Sequence, residues 1–266
     1  MPFSLHTVSA LVLRYVFLYT RHPVRFVELI FWPLVDLLVW GFLTIYLQKQ
    51  GGGFPTAITF LIGGMILWDV MFRSQQGVAI SFLEDVWTRN LLNVFVAPVR
   101  TVEYVAATCV VGVLRICVTL AVLTAVAALA YHFSLFSLGF ALLPFLANLI
   151  LFGWFLGMIS TALIMRWGQA AESLAWAVPF FIQPLAAVFY PVSVLPAWLQ
   201  PAANALPCTP VFEGMRAVLT GNPVPWGNIE HALLLNASWG LAAGLFFAAN
   251  LRHVRKTGLL VKVATQ

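Results

Sequence analysis

The stretch VEYVAATCVVGVLRICVTLAVLTAVAALA, residues Val102–Ala130, decides the fold class of this chain. Glu103 and Arg115 are its only charged residues, and its apolar residues run on without the polar alternation of a membrane barrel strand. A helix needs about 20 predominantly apolar residues to cross the hydrocarbon core of a bilayer. The stretch is long enough, so it predicts a membrane-spanning α-helix.

The composition of the whole chain supports this prediction. Hydrophobic residues make up 62% and charged residues 9% of the 266 positions. Soluble globular proteins have roughly 45–50% apolar and about 25% charged residues. A soluble body of this size cannot hide such an excess of apolar surface. The composition therefore excludes a soluble protein and predicts that residues 1–266 form a single all-α integral membrane domain.

Six apolar stretches predict six membrane spans. In chain order they are Phe26–Leu47, Thr56–Ser81, Val102–Ala130, Leu138–Met165, Ala170–Tyr190 and Ala232–Leu251. Residues 4–22 precede them as a moderately apolar stretch with basic residues, and we expect an interfacial helix lying along the membrane surface there. The alternative is that residues 4–22 simply begin span 1.

The distribution of basic residues predicts the orientation. An even number of spans puts both ends of the chain on one side of the membrane. That side receives ten basic residues: Arg14, Arg21, Arg25, Arg89, Arg100, Arg166, Arg252, Arg255, Lys256 and Lys262. The opposite side receives only Lys49 and Arg216. Because positively charged loops stay in the cytoplasm, both termini are predicted to be cytoplasmic. The net charge of +5 therefore gives no reason to expect nucleic acid as a partner.

A segment between spans 2 and 3, residues 82–100, is predicted to lie on the cytoplasmic side. It reads FLEDVWTRNLLNVFVAPVR, and we expect a short helix that begins with Glu84 and Asp85 and stops at Pro98. Its apolar residues, which include Leu91 and Phe95, need cover outside the membrane. The sequence leaves open whether this chain's own helices or another protein provide that cover.

A proline-rich segment between spans 5 and 6, residues 191–228, is predicted to lie on the outer side. It contains seven prolines and many large apolar residues, so it is too broken to span as one helix. We expect two short helices, Ala197–Ala205 and Pro210–Leu219, that dip into the outer leaflet as a re-entrant hairpin. Backbone at that depth has to be helical or covered by protein.

Motifs for several kinds of chemistry are missing from the sequence. It has no Gly-Lys pair, so it contains no phosphate-binding GxxxxGK[ST] loop. It also lacks HExxH, GxSxG and paired CxxC motifs. The three cysteines and five histidines are scattered, and we predict neither a metal site nor a disulfide framework. The chain is expected not to be an enzyme, to bind no cofactor and to contain no catalytic residue.

Four charged residues lie well inside the predicted spans, away from their ends: Asp36, Asp69, Arg73 and Arg115. Asp69 and Arg73 are one helical turn apart and are expected to pair, which lets their helix insert. Arg115 has no partner on its own helix, and Asp36 is the candidate partner if spans 1 and 3 are neighbours. Acidic groups are too few inside the spans to favour a proton-coupled carrier.

Span 5 combines polar and aromatic residues with two prolines. Pro179 and Pro184 are expected to kink it. Its Gln183 and aromatic side chains would either line a path for an amphiphilic substrate or serve in ordinary helix packing. The path hypothesis involves Phe180, Phe181, Gln183, Phe189 and Tyr190.

The order of these parts resembles the membrane subunits of type 2 ATP-binding-cassette exporters, over nearly the whole chain. The most specific stretch is FYPVSVLPAWLQPAANALPCTPVFEGMRAVL, Phe189–Leu219, which is similar to the outer hairpin of that family. The segment Glu84–Tyr104, with its VAPVRTVEY string, is similar to the family's coupling region. It has Trp87-Thr88-Arg89-Asn90 where many members have a Gly-Thr pair.

The resemblance implies a dimeric permease in a prokaryotic inner membrane that works with a separate ATPase, which binds ATP and magnesium. Residues 82–100 would then be the coupling helix that docks on the ATPase, through Glu84, Asp85, Arg89, Leu91, Phe95, Pro98 and Arg100. The outer hairpin would gate the exit, through Pro196, Trp198, Pro210 and Arg216. The exported substrate would be an amphipathic, lipid-linked, glycan or drug-like molecule that moves between spans 1, 2 and 5.

Two other classes of protein remain as alternatives. An ion-coupled secondary transporter would need no ATPase and usually has internal repeats, of which the sequence contains no convincing example. An intramembrane enzyme is the less favoured alternative. Within the exporter class, a heterodimer with a different permease is the alternative to a homodimer.

Overall fold

The structure, a computed structural model, describes residues 3–49 and 55–258. This part of the chain is almost wholly helical and contains no β-strand, as predicted. Its α-helices are α1 (Leu5–Thr20), α2 (Pro23–Lys49), α3 (Pro55–Trp87), α4 (Leu91–Val96), α5 (Thr101–Tyr131), α6 (Leu142–Trp167), α7 (Glu172–Ile182), α8 (Gln200–Asn204), α9 (Cys208–Leu219) and α10 (Trp226–Thr257). Short 3-10 helices are Leu135–Ala141, Gly168–Ala171 and Val192–Val194. Lys262 lies outside the described residues.

Four helical segments of the described chain are long and apolar enough to cross a membrane. They are Pro23–Leu47, Thr101–Tyr131, Leu135–Trp167 and Trp226–Thr257, which contain predicted spans 1, 3, 4 and 6. Span 2 lies in α3, which carries Asp69, Arg73 and a polar run at residues 74–76 and is not among the four. The chain is thus a multi-pass membrane protein, and the total of six spans stays a prediction.

Span 5 is not the continuous helix that was predicted. α7 ends at Ile182 after 11 residues, which is too short to cross a bilayer. Residues 183–190 form turns and bends, and Ala187 has a left-handed φ of 54°. The physical reason is Pro184, whose missing N–H and bulky ring prevent the helix from continuing.

The expected short helix over residues 82–100 is also wrong in its boundaries. α3 continues through Glu84 and Asp85 to Trp87, so these two acids lie in its last turn. The chain then turns at Arg89, which has a left-handed φ of 53°, and only the 6 residues of α4 form the next helix. We call residues 88–100, which connect α3 to α5, the elbow.

The first helix, α1, is separate from α2. α1 ends at Thr20 with Arg21 as its C-cap, and α2 begins at Pro23, so residues 4–22 do not continue into span 1 as one helix. One face of α1 buries Val8, Leu11 and Tyr15 against the chain. Its other face leaves several large apolar side chains exposed: Leu5, Leu13 and Phe17. This two-sided helix is compatible with the interfacial position, which stays a prediction.

The centre of the bundle is α3, which contacts α2, α5, α6, α7 and α9. Glycines allow its closest contacts. A Cβ atom added to Gly77 would lie 2.3 Å from the Cα of Gly112 on α5. One added to Gly153 on α6 would lie 2.5 Å from the carbonyl oxygen of Met71. Small residues let membrane helices approach this closely, so these glycines determine how α5 and α6 pack on α3.

The proline-rich segment packs at the end of α3 opposite the elbow. Its two short helices are α8 and α9, which confirms the predicted pair of helices with boundaries shifted by a few residues. Met215 of α9 contacts α3 beside Gly63. We call this the outer end of the bundle, and the end that carries α1 and the elbow the basic end. Whether the segment dips into a bilayer stays a prediction.

Candidate functional site

A cavity opens between α2, α3 and the α7 segment at mid-height of the bundle. Its volume is about 510 Å³, within the usual range for small-molecule sites. We call it the main cavity, and its lining residues are Trp32, Asp36, Trp40, Met65, Trp68, Asp69, Phe72, Arg73, Gln76, Trp176, Phe180, Gln183 and Phe189. A substrate path was predicted between the same three segments, which are spans 1, 2 and 5.

A second cavity of about 280 Å³ continues toward the basic end. It shares Trp32, Arg73, Gln76 and Trp176 with the main cavity and adds Tyr19, Arg25, Glu28, Leu29, Ile80, Glu84, Trp87 and Arg115. The two cavities are therefore adjacent, and we call them together the groove. Aromatic side chains form most of the lining of the main cavity, and ionisable side chains line both cavities.

The turn after α7 supplies one wall of the main cavity. Phe189 stacks on Trp40 of α2, with ring centroids 4.2 Å apart, and Phe180 lies 5.5 Å from Phe72 of α3. Phe180, Gln183 and Phe189 thus line the cavity, as the path hypothesis requires. Phe181 is 75% exposed and lines neither cavity. The hydroxyl of Tyr190 instead donates to the carbonyl of Pro184.

The predicted pair between Asp69 and Arg73 is confirmed. Nε of Arg73 donates to Oδ1 of Asp69 over 3.2 Å, and its Nη1 donates to Oε1 of Gln76 over 3.1 Å. Both side chains are almost fully buried. Because Asp69 and Arg73 lie one turn apart on α3, their pairing was predictable from sequence spacing, whereas the contact of Arg73 with Gln76 was not predicted.

Arg115 does not pair with Asp36, contrary to the hypothesis from the sequence. Its Nη2 lies 3.5 Å from Oε2 of Glu84, and its guanidinium lies 4.6 Å from the ring centroid of Tyr19. The side chain of Arg115 points along α5 toward the basic end, as helical side chains tilt toward the N-terminus of their own helix. It therefore reaches the last turn of α3 instead of the middle of α2.

Glu84 and Asp85 form a buried polar cluster with residues of other helices, and these contacts were not predicted from the sequence. Oδ1 of Asp85 accepts from Arg14 over 2.6 Å, and its Oδ2 accepts from the hydroxyls of Tyr15 and Tyr104 over 2.7 and 2.8 Å. Burial raises the pKa of the Tyr15 hydroxyl, so it stays neutral and donates. The cluster holds α1 against α3 and α5.

Glu84 forms the other half of this cluster. Besides Arg115, it accepts from the hydroxyl of Tyr19 over 2.6 Å and pairs with Arg25 at the start of α2 over 3.5 Å. The acids at 84 and 85 thus connect α1, α2, α3 and α5. The polar side chains of Arg14, Tyr15 and Tyr19 on an otherwise apolar helix do indicate buried polar contacts, but the sequence does not identify the residues that they contact.

The elbow exposes only part of the predicted coupling residues. Arg89, Pro98 and Arg100 are exposed, whereas Glu84 and Asp85 are buried and face the bundle. Leu91 is fully buried with Val86 and Val94 in the apolar cluster of the basic end. The chain itself therefore covers these side chains, while Val96 stays 86% exposed. The side chain of Phe95 lies outside the described residues.

The predicted outer-gate residues fall into two groups. Pro196 and Trp198 are exposed, and Pro210 is buried at the start of α9. Arg216 connects α9 to the turn that walls the main cavity, since its Nη1 donates to the carbonyl of Ala187 over 2.7 Å. Glu213 pairs with Arg216 over 3.1 Å and accepts from the backbone N–H of Val192. The outer end and the main cavity are thus directly linked.

Comparison with known proteins identifies the family. No curated protein matches this sequence. The family model for the ABC-2 type transporter matches residues 6–220, which include α1, the groove, the elbow and α9. A match of this extent covers most of the chain, including the segments that carry the resemblance noted from the sequence. The chain belongs to the ABC-2 type transporter family, as a membrane subunit of an ABC transporter.

Proposed function

We propose that this chain is the permease subunit of an ATP-driven exporter and that its substrate moves along the groove between α2, α3 and α7. The groove carries the proposal, because aromatic rings form most of the lining of its main cavity and charged side chains are added toward the basic end, at Arg25, Glu28, Glu84 and Arg115. An amphipathic molecule, such as a drug-like, glycan-bearing or lipid-linked compound, matches that lining. ABC-2 membrane subunits generally work with an ABC ATPase.

The elbow is the surface proposed to dock on the separate ATPase subunit, which binds ATP and magnesium. Val96 is almost fully exposed there, beside Arg89, Pro98 and Arg100. Glu84 and Asp85 are proposed to act indirectly, since their buried contacts tie the elbow's parent helix to α1, α2 and α5. A push on the elbow would then move these helices together.

The arrangement in the membrane follows from the charges. We place the basic end in the cytoplasm of a prokaryote, with both termini there and the outer end on the other face of the inner membrane. Two copies of the chain would face each other across the open side of the main cavity, where Trp32 is 58% exposed. ATP-driven closure of two ATPase subunits would favour one of two arrangements of these copies.

Val96→Asp tests this function, with Val194→Asp as its matched control. Both side chains are exposed, at 86% and 66%, but Val194 lies in the outer segment. Each tagged variant is purified in mild detergent, and ATPase subunits with a phosphate-binding loop are identified and quantified. Wild type and Val194→Asp should retain a stoichiometric ATPase and ATP hydrolysis, whereas Val96→Asp should lose both.

Two results would contradict the proposal. If Val96→Asp retains the ATPase, the elbow is not the docking surface. If folded wild-type chain never carries an ATPase, and transport stops when the proton or sodium gradient collapses, the chain is an ion-coupled carrier instead.

A further inference from the structure

Asp36 occupies an unusual position for a carboxylate. It lies at the middle of α2, about 20 Å of helix from either end at 1.5 Å per residue. Its side chain is exposed at the mouth of the main cavity. An ionisable group at such depth is costly and normally has a charged or polar partner.

In the described part of this chain, Asp36 makes no hydrogen bond or ion pair, and Arg73 acts on it only at longer range. The other charged groups that line the main cavity are Asp69 and Arg73, and these two pair with each other. Arg73 also donates to Gln76, so its guanidinium is shared between Asp69 and Gln76. With Asp36 ionised, the lining carries two negative charges and one positive charge, a net charge of −1.

Aromatic rings surround the Asp36 carboxyl group. Seven line the main cavity: Trp32, Trp40, Trp68, Phe72, Trp176, Phe180 and Phe189. Aromatic faces attract cations, most strongly those of Trp, and cages of such rings recognise quaternary ammonium groups. An anion would instead meet two carboxylates and one arginine that is already paired.

We propose that the main cavity binds an organic cation with an apolar body and that Asp36 is its counter-ion. The cation would lie between the carboxylate of Asp36 and the indole faces, while the apolar body would fill the remaining volume of about 510 Å³. This proposal rests on the proposed export function for the fate of the ligand. It narrows the exported class from amphiphiles in general to amphiphiles that carry a positive charge.

Binding of a matched pair of ions tests the proposal. Tetraphenylphosphonium and tetraphenylborate have nearly the same shape and opposite charge. Each is titrated separately by calorimetry into nanodiscs that contain the full chain, with any copurifying ATPase left in place, and into empty nanodiscs. The variants are Asp36→Asn, Asp36→Glu and Glu230→Gln, the last removing an exposed negative charge on α10.

We expect wild type, Asp36→Glu and Glu230→Gln to bind tetraphenylphosphonium above the empty-nanodisc background. Asp36→Asn should bind it on the order of tenfold more weakly, because the substitution removes the attraction between the carboxylate and the cation and leaves the aromatic faces in place. Tetraphenylborate should show no protein-dependent binding. Equal binding of both ions, or equal affinity of wild type and Asp36→Asn, would overturn the proposal.

The outcome is independent of the test of export. Binding is measured without ATP, so loss of the ATPase in the Val96→Asp experiment leaves this result interpretable. Conversely, a chain that couples to its ATPase but shows no preference for the cation would retain the export function and lose the proposed substrate class. Monodisperse elution of Asp36→Asn shows that any loss of binding is not a loss of fold.

Discussion

The buried cluster at Asp85 predicts that a single substitution will release α1. Asp85→Leu removes the acceptor for Arg14, Tyr15 and Tyr104 while leaving a side chain of similar size. A buried hydroxyl without a partner costs about 1–3 kcal/mol. Arg14 is partly exposed and can turn to water, so its contribution is small.

The size of this destabilisation depends on which hydrogen bonds can form again after the substitution. The hydroxyl of Tyr15 also lies 3.3 Å from the carbonyl oxygen of Ser81, so it can redirect its hydrogen bond. Allowing for one recovered bond, docking of α1 should weaken by about 1–3 kcal/mol. At 1.4 kcal/mol per factor of ten, local opening should become about 5- to 140-fold more frequent.

Hydrogen exchange of the α1 amides, followed by mass spectrometry in nanodiscs, measures this opening. Tyr15→Phe removes one hydroxyl but leaves Asp85 two donors, so it should accelerate exchange by less than tenfold. Amides of α6, which does not contribute to the cluster, serve as the internal reference. Unchanged protection of α1 in Asp85→Leu would refute the claim that this cluster holds α1 in place.

Two further predictions concern helix packing and the outer end. Gly77→Leu should prevent α3 and α5 from packing and should lower the thermal stability of the purified chain, since its Cβ alone would lie 2.3 Å from Gly112. Gly244→Leu is the matched control, because nothing lies within 4 Å of a Cβ atom at that position. Equal thermal stability of the two variants would contradict the packing argument. Arg216→Gln should weaken the attachment of the turn at Ala187 by about 1.5–3 kcal/mol and raise hydrogen exchange at residues 187–190. Arg252→Gln, at an exposed site on α10, is the control and should leave that exchange unchanged. Unchanged protection of the turn in Arg216→Gln would show that Arg216 does not hold it.

Local patterns in the sequence predicted well wherever lipid alone sets the requirement. The helix over Val102–Ala130 is one example, because a long apolar run in hydrocarbon has to satisfy its backbone groups within a helix. The pair of Asp69 and Arg73 is another, since both partners lie on one helix at a fixed spacing. The end of α7 at Ile182 was missed because the continuous apolar run outweighed the effect of Pro184.

The site was predictable only in part, for a similar reason. Gln183, Phe180 and Phe189 were correctly placed on the cavity because one short segment carries them all. Leu91, in contrast, was predicted to face a partner protein and is buried by the chain itself. Its burial depends on where α1, α3 and α5 meet, and periodicity within six residues of α4 does not specify that.

The sequence by itself determined that this chain is helical, lies in a membrane and carries no phosphate-binding loop, because composition and local spacing decide those properties. Only the tertiary structure decided which charges meet. Arg115 reaches Glu84, Asp85 joins α1 to the bundle, and Asp36 faces the main cavity without a partner among the described residues. Ion pairs between helices depend on which faces pack together and at what height, and that information exists only once the helices are assembled.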